Sequence, residues 1–277
     1  MKSRFWIFSV AAALFLGVAC QSAHTETSGS PQVIGVPDDL AAPVAPASGD
    51  STPAQPAPAA PMKHSYNSVN AGGPFIALTF DDGPKPGQTD RLLDILKEKG
   101  VKATFFVIGK NVAEYPEIVR RMVDEGHEVA NHTWSHPSLT KLGAAAVERE
   151  IKQTDAAIVA AGAPQPTIMR PPYGATNARL NQRLSEEFGQ KVILWSVDPL
   201  DWKIRKAAHV RDHILANTKP GGIVLAHDIH ASTVDAMPGT IDGLKEKGFQ
   251  FVTVTELLRM DRPATPAAPT APTAAAN

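Results

Sequence analysis

Residues 75–83 read FIALTFDDG and join an apolar run directly to two carboxylates. The segment 75–80 lacks the polar alternation of a half-exposed strand, so it predicts a strand that is buried on both faces, as in a parallel sheet. Asp81 and Asp82 stand where that strand ends, and Gly83-Pro84 predicts a turn. In α/β proteins, binding and catalytic groups lie at the carboxyl ends of parallel strands. The stretch therefore predicts both the fold class and the place of the site.

Apolar strand segments alternate with helical patterns between residues 71 and 262. Seven such strands favour a closed or nearly closed α/β barrel, and an open doubly wound sheet is the alternative. Thr255 is expected to cap a short last helix. The predicted strands are 75–80, 103–108, 128–132, 167–170, 192–197, 223–227 and 249–254, and the predicted helices are 88–99, 115–125, 144–161, 177–188, 209–217 and 233–247.

The first 20 residues have the layout of a secretory signal peptide. Lys2 and Arg4 precede an apolar run at 5–16, which is shorter than the roughly 20 residues that span a bilayer. Cys20, the single cysteine, follows the small residues of 17–19 and resembles the lipidated cysteine of a bacterial lipoprotein. We therefore expect an envelope protein with a lipid anchor at Cys20. An ordinary cleavage site after the same small residues is the alternative.

Composition separates one folded domain from its flanks. Residues 21–70 are rich in Pro, Ala, Ser and Thr and predict a disordered linker, and residues 263–277 predict a similar tail. The folded domain is then 71–262, which we expect to be monomeric. The net charge of −1 has no basic excess, so a nucleic-acid partner is not expected.

Further reactive side chains follow the other predicted strands, in the position that Asp81 and Asp82 occupy on the first. Because the carboxyl ends of parallel strands meet at one rim, these separate segments should converge. They are His132 and His136 after the third strand, Arg170 to Gly174 after the fourth, Asp198 and Asp201-Trp202 after the fifth, and His227 at the end of the sixth.

Asp82, His132 and His136 are the candidate metal ligands. The two histidines are four residues apart, and on a helical turn this spacing places both imidazoles on one side. Two histidines and one carboxylate form a recurrent catalytic zinc set. A pair of nearby histidines alone is more commonly structural, so this interpretation depends on the carboxylate at another strand end.

The same rim supplies candidates for proton transfer. Asp81 could accept a proton from water while Asp82 binds a metal, with Arg170 orienting Asp81 through a charge-assisted hydrogen bond. His227 could protonate a leaving amine, provided that a carboxylate stabilises its imidazolium form. Asp201 is the first candidate for that carboxylate, and Asp198 is the second.

Three residues are candidates for contact with a substrate. Trp202 either packs in the core or forms the wall of a groove where a sugar ring stacks. Tyr173 could direct its backbone N–H at a developing oxyanion. Leu225 either lines a pocket for an acetyl methyl group or belongs to the core.

Taken in order, five motifs resemble those of the polysaccharide deacetylases, carbohydrate esterase family four. The resemblance covers about 190 residues, the whole predicted domain. No motif residue is substituted, which argues against an inactive relative. The motifs are Thr79-Phe80-Asp81-Asp82-Gly83, His132-Thr133-Trp134-Ser135-His136, Arg170-Pro171-Pro172-Tyr173-Gly174, Asp198-Pro199-Leu200-Asp201-Trp202 and Leu225-Ala226-His227.

The resemblance implies a distorted seven-stranded (β/α) barrel and a divalent metal, most often Zn²⁺, with Co²⁺ or Mn²⁺ as alternatives. It also implies removal of N-acetyl groups from an N-acetylglucosamine-containing polysaccharide, with release of acetate. The implied roles are Asp82, His132 and His136 as metal ligands, Asp81 as base, His227 as acid, Arg170 as support for the base, Asp201 as partner of the acid, and Tyr173, Trp202 and Leu225 as substrate contacts.

Other functions stay open at this stage. An O-acetyl esterase of the same fold would use the same residues. A glycosidase could use two of the carboxylates but leaves the histidine pair unexplained. A sugar-binding lipoprotein without catalysis is a third possibility, since one fold hosts many functions. A tethered envelope location favours peptidoglycan or an exported N-acetylglucosamine polymer as the substrate.

Overall fold

The computed structural model describes residues 63–262. The predicted signal peptide, Cys20, most of the linker and the tail from residue 263 lie outside the described residues. Within 63–262, no helix is both long enough and apolar enough to cross a bilayer.

The described chain forms a parallel sheet surrounded by helices. Neighbouring strands follow one another in the order β1-β6-β5-β4-β3-β2-β7, and β8 pairs with the start of β2. The strands are β1 (Ser65–Tyr66), β2 (Phe75–Asp81), β3 (Thr104–Val107), β4 (Glu128–Asn131), β5 (Ile168–Met169), β6 (Lys191–Ile193), β7 (Ile223–His227) and β8 (Gln250–Phe251).

The sheet curves round and nearly closes on itself. After β6, the backbone of Val197 forms a parallel bridge with Val224 of β7. The Leu225 N–H completes the contact by donating to the Val197 carbonyl at 2.9 Å. This link joins the two ends of the β6-to-β7 series, as in a barrel and unlike an open doubly wound sheet. The predicted barrel is confirmed, and its strands are short and uneven.

The helices lie close to their predicted positions. They are α1 (Thr89–Lys99), α2 (Gly109–Glu114), α3 (Pro116–Asp124), α4 (Ala144–Ala160), α5 (Ala178–Phe188), α6 (Ala207–Asn217), α7 (Ala231–Glu246) and α8 (Val254–Arg259). The short α2 was not predicted, because six residues are too few to show a helical period. Thr253, and not Thr255, caps α8, because its hydroxyl and the Glu256 side chain form a reciprocal capping box.

Ordered structure also begins before residue 71. Tyr66 of β1 pairs with Ile193 of β6, so residues 65–66 belong to the sheet although they fall in the predicted linker. A strand of two residues has no alternation that the sequence could reveal. The sequence does not reveal this strand, because β1 is stabilised by pairing with β6, about 127 residues away along the chain.

Strand alternation separates the barrel interior from the surface that the helices cover. Ile76, Leu78 and Phe80 pack in one cluster with side chains from the surrounding helices. Ala77 packs in another cluster with the interior residues of the neighbouring strands. Successive side chains of a strand point to opposite faces. Thr79 and Asp81 therefore share the inward face of Ala77, and β2 delivers Asp81 into the barrel mouth.

Candidate active site

The predicted site residues converge at the carboxyl ends of the strands. Asp81 ends β2 and His227 ends β7, and the two are direct partners in the register of these strands. His132 follows β4, and Arg170 follows β5. The expected convergence on one rim is confirmed.

Asp82, His132 and His136 place one potential ligand atom each within 4.8 Å of one another. The Asp82 Oδ1 atom lies 3.4 Å from Nε2 of His132 and 3.3 Å from Nε2 of His136. This oxygen is buried and has no hydrogen-bond partner among the described residues. A buried carboxylate oxygen without a partner is costly, and a cation would satisfy it. The three residues therefore fit a divalent metal.

Hydrogen bonds orient both imidazoles toward Asp82. The Nδ1 atom of His132 lies 2.7 Å from the Arg170 carbonyl oxygen, which can only accept. Nδ1 therefore carries the proton, and the Nε2 lone pair is free to bind a cation. The Tyr173 hydroxyl lies 3.3 Å from Nδ1 of His136 and orients the second ring, whose Nε2 atom also faces Asp82.

The charges of the cluster favour an ionised Asp82. Burial raises the pKa of this carboxyl, but the nearby histidines His132, His227 and His136 outweigh burial and lower the pKa to about 2. Burial and the charge of His132 lower the pKa of His136. An anionic carboxylate is the form of Asp82 that metal binding requires, and the lowered pKa of His136 favours the form of this ring that can bind a metal.

The histidine pair lies on a loop and not on a helical turn. Thr133 and His136 have φ values of 68° and 61°, in the left-handed region that a helix cannot use. The loop is held because the Thr133 hydroxyl accepts the His136 N–H at 3.1 Å and Asn131 Oδ1 accepts the Thr133 N–H at 2.7 Å. The spacing of four residues was therefore informative, but the helical explanation was wrong.

Every non-glycine residue with positive φ in the described part of the chain lies in a site loop. Besides the two just named, these are Asp82, Tyr173 and Leu200, with φ values of 76°, 63° and 55°. Such conformations cost of order 1–3 kcal/mol each and persist where surrounding contacts enforce them. Their concentration at the strand ends marks this rim as the functional face.

Arg170 supports Asp81 from inside the barrel. Its side chain is fully buried and donates from Nη1 to Asp81 Oδ1 at 2.6 Å and to Thr79 Oγ1 at 2.7 Å. Nε and Nη2 donate to the carbonyls of Ile193 and Leu194 at 3.2 and 3.1 Å. The predicted partner of Asp81 is therefore in place. The sequence missed Thr79, although it lies two residues before Asp81 on the same strand face.

Asp201 is the carboxylate that holds His227. Its Oδ1 lies 2.8 Å from Nδ1 of His227, and its Oδ2 accepts the His227 N–H at 2.8 Å and the Thr233 hydroxyl at 2.7 Å. Burial lowers the pKa of His227, but Asp201, with Asp81 and Asp82, raises it to about 9. Asp198, the second candidate, instead accepts the Leu200 N–H at 2.8 Å.

A cavity of about 490 Å³ opens over these groups. Trp202, half exposed, and Leu225, nearly buried, both line it, and so does the exposed Tyr173. Trp195 and Asp198 complete the wall. The sequence analysis did not select Trp195, although its position just after β6 could have indicated it. A second hollow of about 440 Å³ shares Asp82 and His136 with the first, so a longer ligand has room on both sides of the cluster.

A barrel with a two-histidine, one-aspartate cluster, a supported carboxylate and a paired histidine defines a hydrolase-type centre suited to a metal. Residues 68–193 match the family model described as "Polysaccharide deacetylase". This chain belongs to the polysaccharide deacetylase family.

Two bacterial deacetylases are similar to this chain. The chain is 47% identical over 182 residues to a peptidoglycan-N-acetylglucosamine deacetylase, PgdA, of Listeria monocytogenes, covering 66% of this chain and 38% of that protein. It is 45% identical over 184 residues to a chitooligosaccharide deacetylase of Rhizobium leguminosarum bv. trifolii, covering 66% of this chain and 82% of that protein. The match thus spans well under half of the Listeria relative.

A solved structure shows the same fold. The peptidoglycan deacetylase PdaC from Bacillus subtilis superimposes with a TM-score of 0.65 at 41% sequence identity, covering 69% of this chain and 93% of that one. The distorted (β/α) barrel expected from the motifs is the fold of this family and of this chain.

Proposed function

We propose that this protein removes N-acetyl groups from an N-acetylglucosamine-containing polysaccharide of the cell envelope and releases acetate. The observation that carries the proposal is the pairing of Asp81 and His227 across β2 and β7, beside the Asp82–His132–His136 cluster. Hydrolysis of an amide needs a base to activate water and an acid to protonate the leaving amine. The names of the Listeria and Rhizobium relatives support an acetylated amino-sugar polymer as substrate.

Asp82, His132 and His136 would hold a divalent cation, and we propose Zn²⁺ because two histidines and one carboxylate are a common zinc set. Such an ion supplies Lewis acidity, which acidifies water and polarises a carbonyl. Co²⁺ or Mn²⁺ would serve the same chemistry.

The remaining steps belong to side chains of the chain itself. Asp81, oriented by its hydrogen bond from Arg170, takes a proton from water as the water oxygen adds to the acetamide carbon. The Tyr173 N–H stabilises the charge that develops on the carbonyl oxygen. His227, kept protonated by Asp201, donates to the nitrogen as the C–N bond breaks, leaving acetate and a free amine. Leu225 encloses the acetyl methyl group, and Trp202 stacks on a sugar ring.

Export and tethering complete the proposal. Residues 1–20 would direct the chain across the membrane and Cys20 would carry the lipid, which leaves the domain in the envelope where such polymers lie. A monomer is sufficient, because every proposed site residue comes from one chain.

Acetate release by the purified protein tests the function. We expect release from N-acetylated chitooligosaccharides or peptidoglycan, its loss after chelation and its return with Zn²⁺. Asp81→Asn should lose turnover and keep stoichiometric metal. His132→Ala should lose both, because His132 is a proposed metal ligand and Asp81 is not.

Three outcomes would contradict the proposal. Acetate release that is insensitive to chelator would exclude a catalytic role for the metal. Release from acetylated xylan alone would favour the O-acetyl esterase. Bound metal and bound polymer without any acetate would favour a binding protein.

A further inference from the structure

A short run of cations lies beside the acid side of the site. Lys203, Arg205 and Lys206 are exposed and follow Trp202 directly in the chain. Within residues 63–262, none of the three has a carboxylate oxygen within 4.0 Å, whereas the nearby Arg211 pairs with Asp212. We name these three residues the cationic rim.

The turn that positions Asp201 beside His227 also leaves the cationic rim exposed. The backbone N–H groups of Lys203 and Ile204 both donate to the Leu200 carbonyl, at 2.9 and 2.7 Å. This tight turn buries Asp201 against His227 and leaves Trp202 half exposed on the cavity wall. Lys203 is the next residue after this part of the wall, so the cationic rim begins one residue away from the cavity lining.

The charge of Arg205 acts on His230, which lies beside His227. Burial, and then the charge of Arg205, lower the pKa of His230 to about 4. The rings of His230 and His227 are 5.9 Å apart between centroids. His227 lines the cavity, so the charge of Arg205 acts on a histidine that neighbours the cavity wall.

The local charge is not a consequence of the overall composition. The whole chain has a net charge of −1, so the positive charge of this segment is local. Between residues 195 and 211 the carboxylates are Asp198 and Asp201. Both are engaged, by the Leu200 N–H and by His227, respectively. The rim is therefore available to an external anion.

We infer that the cationic rim binds carboxylates carried by the polymer next to the sugar that is deacetylated, so that the site favours an anionic N-acetylated glycan over a neutral one. This inference rests on the proposed function and names its substrate class. In peptidoglycan such carboxylates come from the lactyl group of the neighbouring sugar or from the attached peptide. A neutral N-acetylglucosamine polymer has none.

The test replaces all three cations, because a single exposed ion pair contributes little. The Lys203→Gln/Arg205→Gln/Lys206→Gln protein is compared with a matched Lys191→Gln/Lys219→Gln/Arg259→Gln protein. The control residues are also exposed and lie at the opposite end of the barrel, at or before the starts of β6 and β7 and within α8. The measured quantity is kcat/KM for acetate release.

Three soluble substrates of similar length separate the sources of charge. They are glycan strands with peptides, the same strands after an amidase has removed the peptides and left the lactyl carboxylate, and N-acetylated chitooligosaccharides. For the rim variant, we expect the ratio of kcat/KM on peptide-bearing strands to that on chitooligosaccharides to fall roughly fivefold to tenfold at 0.1 M salt. In the unmodified protein the same ratio should fall in 1 M salt, where the Debye length is about 3 Å.

The stripped strands assign the source. If they behave like the peptide-bearing strands, the lactyl carboxylate is the partner, and if they behave like chitooligosaccharides, the peptide is. An unchanged ratio in the rim variant, or an equal change in the control variant, would overturn the inference. Failure of the unmodified protein to release acetate from all three would instead overturn the proposed function.

Discussion

Replacing Arg170 with methionine should destabilise the barrel strongly. The guanidinium is fully buried and pairs with Asp81, which is 2% exposed. Methionine fills much of the same volume but leaves the carboxylate without its counter-charge. It also removes the donors for the Ile193 and Leu194 carbonyls.

The magnitude follows from the burial of both partners. Removing one member of a buried ion pair costs about 3–5 kcal/mol, because the other charge stays uncompensated in a medium of low polarity. In a domain of this size 1 kcal/mol shifts the Tm by about 2–4 °C, so the Tm should fall by roughly 6–20 °C. Asp81→Asn in the same protein should recover part of the loss, because it removes the stranded charge.

The assay is denaturant unfolding followed by tryptophan fluorescence, with chelator present so that metal binding does not contribute. Arg149→Met is the matched control, since Arg149 is exposed, and its effect should stay within about 0.5 kcal/mol. The reasoning fails if Arg170→Met is no worse than this control, or if the double variant shows the full sum of the two single losses.

Three more outcomes are expected. Asp201→Asn should lower kcat by roughly 100-fold or more with metal content unchanged, because His227 loses its anionic partner, and Asp198→Asn should lower it less; equal effects would return Asp198 to the role. Gly83→Ala should lower the free energy of unfolding by about 1–3 kcal/mol, because a Cβ there would overlap the Asp228 carboxylate. Gly143→Ala is the control, because its Cβ would meet nothing within 4 Å, and it should cost less than about 0.5 kcal/mol in the same unfolding assay. Similar costs at both positions would contradict the steric argument. Cys20→Ala should move the protein from the membrane fraction to the soluble fraction, and an unchanged distribution on immunoblots would show that Cys20 carries no anchor.

The buried acid behind Gly83 explains why this glycine is needed. Asp228 is fully buried, and its Oδ2 accepts the Thr89 hydroxyl at 2.5 Å. Burial, with the charge of Asp82, raises its pKa to about 7. The Asp228 carboxyl occupies the space that a side chain would take at position 83, so it packs against the loop that carries Asp82.

The sequence by itself determined the features that depend on short stretches of chain. Buried strands have a continuous apolar pattern, and carboxyl ends of parallel strands meet at one rim whatever their exact pairing. The positions of Asp81, Asp82, His132 and His227 at strand ends therefore predicted a common site before any distance was known. The helix bounds were predicted to within two residues at most ends, because a helical period is local too.

Only the tertiary structure decided between the alternatives that the sequence left open. The structure identifies Asp201, and not Asp198, as the partner of His227. The turn at Leu200 directs the Asp201 carboxylate to His227 and the Asp198 carboxylate to the backbone. The pairing of Arg170 with Asp81 was predicted, but the complete burial of Arg170 has no local signature, because its partner lies 89 positions away in the chain. The loop conformation of the histidine pair and the place of Trp195 in the cavity wall were hidden for the same reason. Each depends on packing between distant segments, where contact geometry and not residue order sets the free energy.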